Sequence, residues 1–254
     1  SFDILIIAAG SRYDAPIKDE KLIIASRSKE LEKYSHKLEG AENILIVGGG
    51  FVGVELAAEI KSHYPKKNLK IITAADKLLH RSNKATSKAA EKYCKNNDIQ
   101  VLRSQRVTKM NNDNCMTDKG EKFMCDLGFL CIGFKPNSEP FQNNFELSAR
   151  GQLHVDHLLR VKGGSNIFAC GDITSIREEK TAQNAEKQAI VVVKNVKQLL
   201  ESKTPTHQYH SKERPLVISL GKRGILSYKK FTWYGILPGI LKSLIEKIEM
   251  NKRK

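Results

Sequence analysis

Residues 43–60, NILIVGGGFVGVELAAEI, contain an apolar segment, a run of glycines and a helix-forming segment in direct succession. The apolar segment, 43–47, is rich in leucine and β-branched residues without alternation, which is typical of a strand buried on both faces of a parallel sheet. Gly48, Gly50 and Gly53 then follow at the spacing of the dinucleotide-binding fingerprint. The stretch therefore predicts a strand–turn–helix unit that binds phosphate groups at the helix N-terminus.

Each glycine of this fingerprint has its own physical task. Gly48 permits the tight turn, Gly50 lets a pyrophosphate approach the backbone, and Gly53 lets the helix pack closely on the strand. A purely structural turn is the alternative interpretation, but a strand precedes these glycines and a second strand follows at 69–73. The predicted binding turn consists of Gly48, Gly49, Gly50, Phe51, Val52 and Gly53.

The end of the second strand bears on the choice of coenzyme. An acidic residue at this position holds the ribose 2'-hydroxyl of NADH, and here the position is Thr73. Lys77, Arg81 and Lys84 lie nearby in the sequence and would suit a 2'-phosphate, whereas Asp76 could take over the acidic role while the lysines are merely solvated. The sequence leaves NADH and NADPH both open.

A second ligand-binding edge is predicted from two distant segments. Residues 2–9, FDILIIAA, form a buried-strand pattern that Gly10 ends, and residues 166–172, NIFACGD, form an apolar strand that ends in Gly171-Asp172. A carboxylate at the carboxyl end of a sheet strand is a ligand candidate in α/β folds, although Asp172 could instead cap a helix. A helix over 181–200 begins with small and amide residues that can approach a flat ring.

The remaining pattern predicts supporting elements. The tail 231–248 contains Trp233 and Tyr234, an apolar run broken at Pro238-Gly239, and a basic amphipathic helix over 240–248. This tail is either an interfacial membrane element or a helix that docks on the domain. The other predicted elements are helices over 28–37 and 85–96, strands over 100–103 and 126–132, an antiparallel meander over 106–110, 114–117 and 122–124, and a hairpin of 216–220 with 225–228.

Composition narrows the class of partner. With 43 basic and 28 acidic residues the net charge is +15, which suits an anionic substrate or surface or reflects only a lysine-rich composition. The lysines are scattered and no nucleic-acid motif occurs, so nucleic acid is not expected as a main partner.

The five cysteines form no CxxC, which indicates a reducing compartment and argues against a dithiol-disulfide reductase. Two histidine pairs, His154 with His157 and His207 with His210, lack partner ligands, so no metal site is predicted. No twenty-residue apolar span occurs either.

Five motifs in order then point to a family: AAGS at 8–11, GGGFVGVELAAEIK at 48–61, CIGFKPN at 131–137, NIFACGD at 166–172 and SLGKRG at 219–224. In this order the chain resembles the two-dinucleotide flavoprotein reductases. Among them it is most similar to the apoptosis-inducing-factor-like group, which includes ferroptosis suppressor protein, with type II NADH dehydrogenases as relatives. The resemblance implies one Rossmann domain for FAD, a second one inserted into it for NAD(P)H, and transfer of electrons from NAD(P)H through flavin to a quinone.

The resemblance also assigns roles to residues. Glu55 would lie near the nicotinamide and the flavin, Asp172 would bind the FAD ribityl chain, and Lys180 and Gln183 would lie at the flavin ring, with Gln183 beside the quinone. The second glutamine of that quinone motif is Lys187 here, and the family's Ala-Thr-Gly is Ala8-Ala9-Gly10. The catalytic candidates are Glu55, Lys180 and Gln183, and the cofactor-binding candidates outside the Gly48–Gly53 turn are Gly10, Glu55, Thr73, Gly133, Gly171, Asp172, Thr181 and Ala182.

These inferences combine into one architecture. We predict an α/β protein with two Rossmann-like domains, of which the FAD-binding one is incomplete at its N-terminus because the chain has a single fingerprint, and a small C-terminal α+β region. The expected function is an NAD(P)H:quinone oxidoreductase in the cytoplasm, on a membrane or lipid droplet, or in mitochondria; the alternative is a non-catalytic NAD(P)H-binding or pro-death interaction module. The predicted domains are 1–20 (FAD), 21–132 (NAD(P)H), 133–200 (return to FAD) and 201–254 (hairpin and tail).

Overall fold

A computed structural model describes residues 2–12, 24–111, 113–213 and 215–251 of the chain. The elements in chain order are β1 Leu5–Ile7, β2 Ser11–Arg12, α1 Ile24–Gly40, β3 Asn43–Val47, α2 Phe51–His63, β4 Asn68–Ile72, α3 Lys84–Asn96, β5 Ile99–Leu102, β6 Val107–Met110, β7 Asn114–Thr117, β8 Lys122–Met124, β9 Leu127–Leu130, β10 Lys135–Pro136, a 3-10 turn Glu139–Phe141, β11 Ile167–Ala169, α4 Ala182–Leu200, β12 Leu216–Leu220, β13 Arg223–Tyr228, β14 Phe231–Gly235 and α5 Ile236–Asn251.

The chain divides into two compact units. Unit 1 contains Ser1–Tyr13 and Phe134–Lys212, and unit 2 contains Asp14–Gly133 and Glu213–Lys254. The boundary predicted between residues 20 and 21 lies outside the described residues, and the assignment of each domain to one cofactor stays a prediction. The α/β class that the sequence predicts is confirmed.

Unit 2 is built on a parallel sheet with strand order β5-β4-β3-β9. Its central strand β3 is apolar on both faces for a clear reason. Ile44 and Ile46 pack in one cluster with α2 and α3, whereas Leu45 and Val47 pack in a second cluster with Cys115 of the meander. Because both faces are covered, a continuous apolar run rather than an alternating one forms this strand.

The antiparallel meander β6-β7-β8 covers the second face of that sheet, as predicted. Cys115 on β7 is fully buried there, and Phe123 on β8 packs beside it. The meander therefore supplies the layer that an α-helix supplies on the opposite face.

The C-terminal segment of unit 2 forms a three-stranded antiparallel sheet, β12-β13-β14. The sequence predicts only a hairpin here, because the pattern of Phe231–Gly235 resembles the apolar tail that follows; the structure shows that this segment is a third strand. Ile218, Leu220 and Ile225 from this sheet join the core cluster of α2 and α3. The C-terminal sheet is thus part of the same hydrophobic core as the fingerprint helix.

Helix α5 begins at Ile236 and continues through Pro238-Gly239, so the prediction of a break there was wrong. Proline within the first turn costs no hydrogen bond, since the first four N–H groups of a helix have no intrahelical acceptor. A Cβ on Gly239 would lie 2.9 Å from the carbonyl carbon of Arg223, so this glycine lets the helix press against β13.

Unit 1 contains the parallel pair β1-β11, with Leu5 beside Ile167 and Ile7 beside Ala169. Helix α4 packs nearby through Val192, in a cluster with the fully buried Phe168. Asn195 of α4 is fully buried; its amide donates to the carbonyls of Leu158 and His207 at 3.0 and 2.8 Å and its side-chain oxygen accepts from the His207 N–H. This asparagine fixes the segment that follows α4.

Candidate dinucleotide-binding sites

The turn between β3 and α2 lies at the carboxyl edge of the parallel sheet in unit 2. Gly48 has φ +118°, and a Cβ there would lie 2.3 Å from the carbonyl oxygen of Cys131. A Cβ on Gly53 would lie 2.0 Å from the carbonyl oxygen of Gly48, whereas a Cβ on Gly50 would meet nothing within 4 Å. Gly48 and Gly53 are therefore required by packing, and Gly50 borders open space that a ligand can enter.

The N-terminus of α2 is suited to an anion. Gly50 is the N-cap and makes no side-chain capping bond, and Val54 donates the first helical hydrogen bond, to Gly50 at 3.0 Å. The N–H groups of Phe51, Val52 and Gly53 precede that bond and lie at the positive end of the helix dipole. No acidic residue occurs in the first turn to repel a phosphate.

Thr73 lies beside the turn but is buried. It is 5% exposed, a Cβ on Gly49 would lie 3.0 Å from its side chain, and its hydroxyl accepts from the N–H of Ala75 at 3.3 Å. Asp76 is exposed in the loop that follows, and Lys77 is half-buried. The residues that could discriminate a 2'-phosphate therefore lie in the loop after Thr73 rather than at Thr73 itself.

The last strand of this sheet edge, β9, ends beside the same turn. Cys131 donates its backbone N–H to Val47 at 2.7 Å, and burial raises the pKa of its thiol to about 12. Gly133, a predicted binding residue, has φ +108°. Ile132 between them is 66% exposed, and the sequence did not single it out as a ligand contact.

In unit 1 the two predicted segments meet at the carboxyl ends of β1 and β11. Although 161 residues separate them, the Ser11 hydroxyl donates to an Asp172 carboxylate oxygen at 2.6 Å. Gly10 has φ +66° with open space around its Cα, and Gly171 has φ +82°. A glycine on each strand end and a carboxylate at the same edge form the kind of crevice in which parallel α/β sheets bind ligands.

Two side-chain amides, one buried and one half-buried, hold this second edge in place, and the sequence did not reveal these contacts. Gln188 of α4 is 1% exposed; its side-chain oxygen accepts from the Gly171 N–H at 2.8 Å and from the Thr174 hydroxyl at 3.3 Å. Asn137 donates to the carbonyl oxygen of Ala9 at 2.8 Å. Gln188 lies four residues after Asn184, on the same face of α4, and this spacing is the signal in the sequence that could have indicated it.

The four residues around the start of α4 differ in their surroundings. Lys180 donates to the carbonyls of Thr174 and Ile176 at 2.7 and 3.0 Å, and burial lowers its pKa from the ordinary value. Thr181 is the N-cap and accepts from the Asn184 N–H at 3.3 Å. Ala182 and Gln183 follow and are exposed. The geometry thus gives Lys180 a role in fixing the loop before α4 and leaves Gln183 at the surface.

Glu55 on α2 is bound to the C-terminal segment, a contact that the sequence did not predict. It accepts from the backbone N–H of Ser219 at 2.8 Å and forms an ion pair with Lys242 of α5 at 3.3 Å. The Ser219 hydroxyl donates to Glu59 at 2.7 Å, one turn further along α2. Glu55 therefore has its orientation set by β12 and α5.

Other candidate features lie away from these edges. Within the described part of the chain no group of three or more metal-ligating side chains occurs. A groove of about 590 Å³ in unit 1 is bordered by His154, Asp156 and Arg160 and contains none of the predicted cofactor residues. No helix among the described residues has the length and apolarity to cross a bilayer.

The fold is of the α/β class, with one candidate ligand-binding edge in each of its two units. The chain belongs to the pyridine nucleotide-disulphide oxidoreductase family, whose model matches residues 1–189. The predicted family is thereby confirmed.

Named relatives support the same assignment. The chain is 32% identical over 232 residues to apoptosis-inducing factor homolog B of Dictyostelium discoideum, covering 80% of this chain and 60% of the relative. It is 31% identical over 239 residues to ferroptosis suppressor protein 1 of Homo sapiens, covering 87% and 62%. The chain therefore spans only about 60% of the length of these curated relatives.

Among solved structures, the water-forming NADH oxidase from Lactobacillus brevis, bound to NADH, matches with a TM-score of 0.70 at 24% identity. The match covers 90% of this chain and 52% of that protein. At this identity the comparison supports the fold alone.

Proposed function

We propose that the chain is part of an FAD-dependent oxidoreductase that takes electrons from NAD(P)H and passes them to a quinone. The observation that carries the proposal is the contact between Ser11 and Asp172, because it gives unit 1 a ligand edge of its own besides the fingerprint edge of unit 2. Two such edges suit two dinucleotides, and the family is one of pyridine-nucleotide oxidoreductases.

NAD(P)H is assigned to the fingerprint turn. The N–H groups of Phe51, Val52 and Gly53 would hold the pyrophosphate, and the open space at Gly50 would admit it. The loop after Thr73 contains the half-buried Lys77 and the exposed Arg81 and lacks a carboxylate directly at the strand end. We propose that NADPH binds at least as tightly as NADH for this reason.

FAD is assigned to the edge of unit 1. The Asp172 carboxylate, which Ser11 orients, would accept hydrogen bonds from ribityl hydroxyls, and Gly10 and Gly171 would let the flavin chain approach the backbone. Flavin supplies the ability to accept two electrons as hydride and to release them to a quinone. Gln183 and the first turn of α4 would meet the flavin ring and the acceptor.

The side chains contribute orientation rather than acid–base chemistry. Lys180 holds the backbone of Thr174 and Ile176, so it positions the loop that leads to α4. Glu55, with Ser219 and Lys242 fixing its carboxylate, positions the part of α2 next to the fingerprint. Hydride transfer depends chiefly on such orientation.

A flavin titration tests the proposal. The purified full-length protein should be yellow, should bleach on anaerobic addition of NADPH, and should recover its colour with a soluble quinone. In Asp172→Asn, flavin content should fall sharply while NADPH binding persists. Asp3→Asn is the matched control, since Asp3 is exposed before the opposite end of β1.

Three results would each count against one part of the proposal. A colourless full-length protein would favour the non-catalytic NAD(P)H-binding module instead. Unchanged flavin content in Asp172→Asn would exclude the role given to that carboxylate. If oxygen or a one-electron acceptor reoxidises the flavin but quinones do not, the protein is still an oxidoreductase, but the proposed role of quinone as the electron acceptor is wrong.

A further inference from the structure

The last strand and helix of unit 2 expose an unusual amount of apolar surface. Trp233 is 44% exposed, Ile240 50%, and Leu244 51%. Isolated exposed apolar residues are ordinary, but a contiguous group of this kind marks an interaction site. We call this group the α5 surface; it consists of Phe231, Trp233, Ile236, Leu237, Ile240, Leu241, Leu244 and Ile248.

Helical geometry shows that α5 has two different sides. At 100° per residue, the six apolar residues from Ile236 to Ile248 fall within an arc of about 140° on one side. On the other side Pro238 and Gly239 are buried, and Lys242 pairs with Glu55. The helix is therefore docked by one side and exposes an apolar stripe on the other.

Trp233 and Phe231 extend this stripe onto the sheet. Trp233 pairs with Leu226, and Phe231 pairs with Tyr228. Gly224, two residues before Leu226, contacts α5: a Cβ there would lie 2.7 Å from the Gly239 nitrogen. Since residues two apart in a strand share a face, Leu226, Tyr228 and their partners lie on the same face of the sheet as α5. Tyr228, Phe231 and Trp233 remain exposed there, so they lie beyond the part of the face that the helix covers.

Exposed basic residues lie next to the apolar stripe in the chain and form its basic rim. Lys222, Lys229 and Lys230 are exposed in the turns at the two ends of β13, Arg223 is exposed as the first residue of β13, and Lys247 is exposed on α5. Over residues 215–251 the sequence has six basic and two acidic residues. A second copy of the chain would present the same positive charge, so this rim favours a negatively charged partner over self-association.

We propose that the α5 surface binds an anionic lipid surface, with α5 lying in the plane of the interface. Apolar residues on one side of a helix, lysines at its margin and an aromatic ring between them match the layered chemistry of a bilayer, which is apolar inside and anionic at its headgroups. Trp233 sits at the headgroup level, where tryptophan is favoured. This inference does not depend on the proposed redox reaction.

The chain supplies its own probe, because Trp233 is its only tryptophan. The full chain is mixed with phosphatidylcholine vesicles with or without phosphatidylserine, and tryptophan emission and co-sedimentation are recorded. Emission should shift to the blue with anionic vesicles, shift little with neutral ones, and lose most of the effect in high salt. Brominated lipids should quench it directly.

Two pairs of variants test the assignment of residues. Ile240→Gln with Leu244→Gln should weaken partitioning at least about tenfold, whereas Ile190→Gln with Val193→Gln, equally exposed on α4, should not. Lys229→Gln with Lys230→Gln should weaken partitioning into anionic vesicles about thirtyfold. Lys194→Gln with Lys197→Gln on α4 should leave that partitioning unchanged. Circular dichroism and thermal unfolding verify that each variant is folded.

Three outcomes would overturn the proposal. The first is no emission shift with anionic vesicles. The second is an equal loss of binding in the α5 and α4 variants, which would indicate non-specific adsorption. The third is the absence of lipid binding together with a dimer in analytical ultracentrifugation that the double variant Ile240→Gln with Leu244→Gln dissociates. A second copy of the chain would then be what binds the α5 surface.

Discussion

Single residues decide whether the fingerprint turn can exist. Gly48 and Gly53 sit against carbonyl oxygens at distances that no side chain tolerates, while Gly50 has free space. Three glycines that look equivalent in the sequence therefore have different tasks: two serve packing, and one leaves room for a ligand.

This difference predicts opposite responses to alanine. Gly53→Ala should lower the free energy of unfolding by about 1–3 kcal/mol, because its methyl group would collide with the Gly48 carbonyl. Gly50→Ala should leave stability unchanged or raise it by up to about 1 kcal/mol, yet weaken NADPH binding. Urea unfolding and coenzyme titration separate the two effects; a destabilised Gly50→Ala would show that Gly50 also serves packing.

Coenzyme choice is a second matter at the scale of residues. Lys77→Gln should weaken NADPH binding about tenfold, the value of one charge-assisted hydrogen bond, and leave NADH binding nearly unchanged. Lys66→Gln is the control, since Lys66 is exposed before the opposite end of β4. Equal weakening of both coenzymes in Lys77→Gln would place Lys77 away from the 2'-phosphate.

At the scale of elements, α5 depends on a glycine contact with β13. A Cβ on Gly224 would lie 2.7 Å from the Gly239 nitrogen and 2.8 Å from the Pro238 carbonyl carbon. The helix can approach the sheet this closely only because neither position has a large side chain. The ion pair between Lys242 and Glu55 then links α5 to α2.

Gly224→Ala should therefore destabilise unit 2 by about 1–3 kcal/mol through overpacking. Gly235→Ala is a matched control, because Gly235 pairs with Gly224 across the sheet and its nearest neighbour would be the Trp233 ring nitrogen at 3.8 Å. Thermal unfolding and tryptophan emission would report the change. Equal effects of the two substitutions would mean that the glycine contact with α5 is not decisive.

At the scale of the whole molecule, all five cysteines are buried and none of them forms a disulfide bond. Burial raises the pKa of Cys94 and Cys131 to about 12, so both thiols stay protonated at pH 8. Only thiolates react rapidly with disulfide reagents, which predicts a protein that is inert to them while folded.

A reagent such as dithionitrobenzoate should modify none of the five cysteines quickly in the native protein at pH 8 and all five in denaturant.

The raised pKa values also have a consequence for stability. The folded state holds these protons more tightly than the unfolded state, so stability should fall as the pH rises above about 9. A fast-reacting native cysteine, or stability that is constant up to pH 11, would contradict this.

The pattern of the sequence was sufficient where local chemistry decides. The limits of strand β3 were predicted correctly, because an apolar run without alternation is a local signal. The limits of the meander β6-β7-β8 were also predicted, with a difference of one residue at the start of β6, because short strand-forming runs between turn residues are local signals too. The strand β14 and the start of α5 were missed, since their apolar residues serve a sheet and a helix terminus that depend on distant neighbours.

The site divides in the same way. Gly48, Gly50 and Gly53 could be proposed from motif spacing, and Asp172 from its place at the end of an apolar strand. Gln188, Ser219 and Lys242 could not be proposed, because their partners are distant in the chain or lie on another element. Burial of Thr73 likewise could not be known before the loop beside Gly49 was placed.

The sequence by itself determined the α/β class, the fingerprint turn and the family, since these depend on local periodicity and on glycines at fixed spacing. Only the tertiary structure decided that Ser11 meets Asp172 and that Glu55 is held by Ser219 and Lys242. Contacts between residues far apart in the chain follow from strand pairing and core packing, which no local pattern encodes.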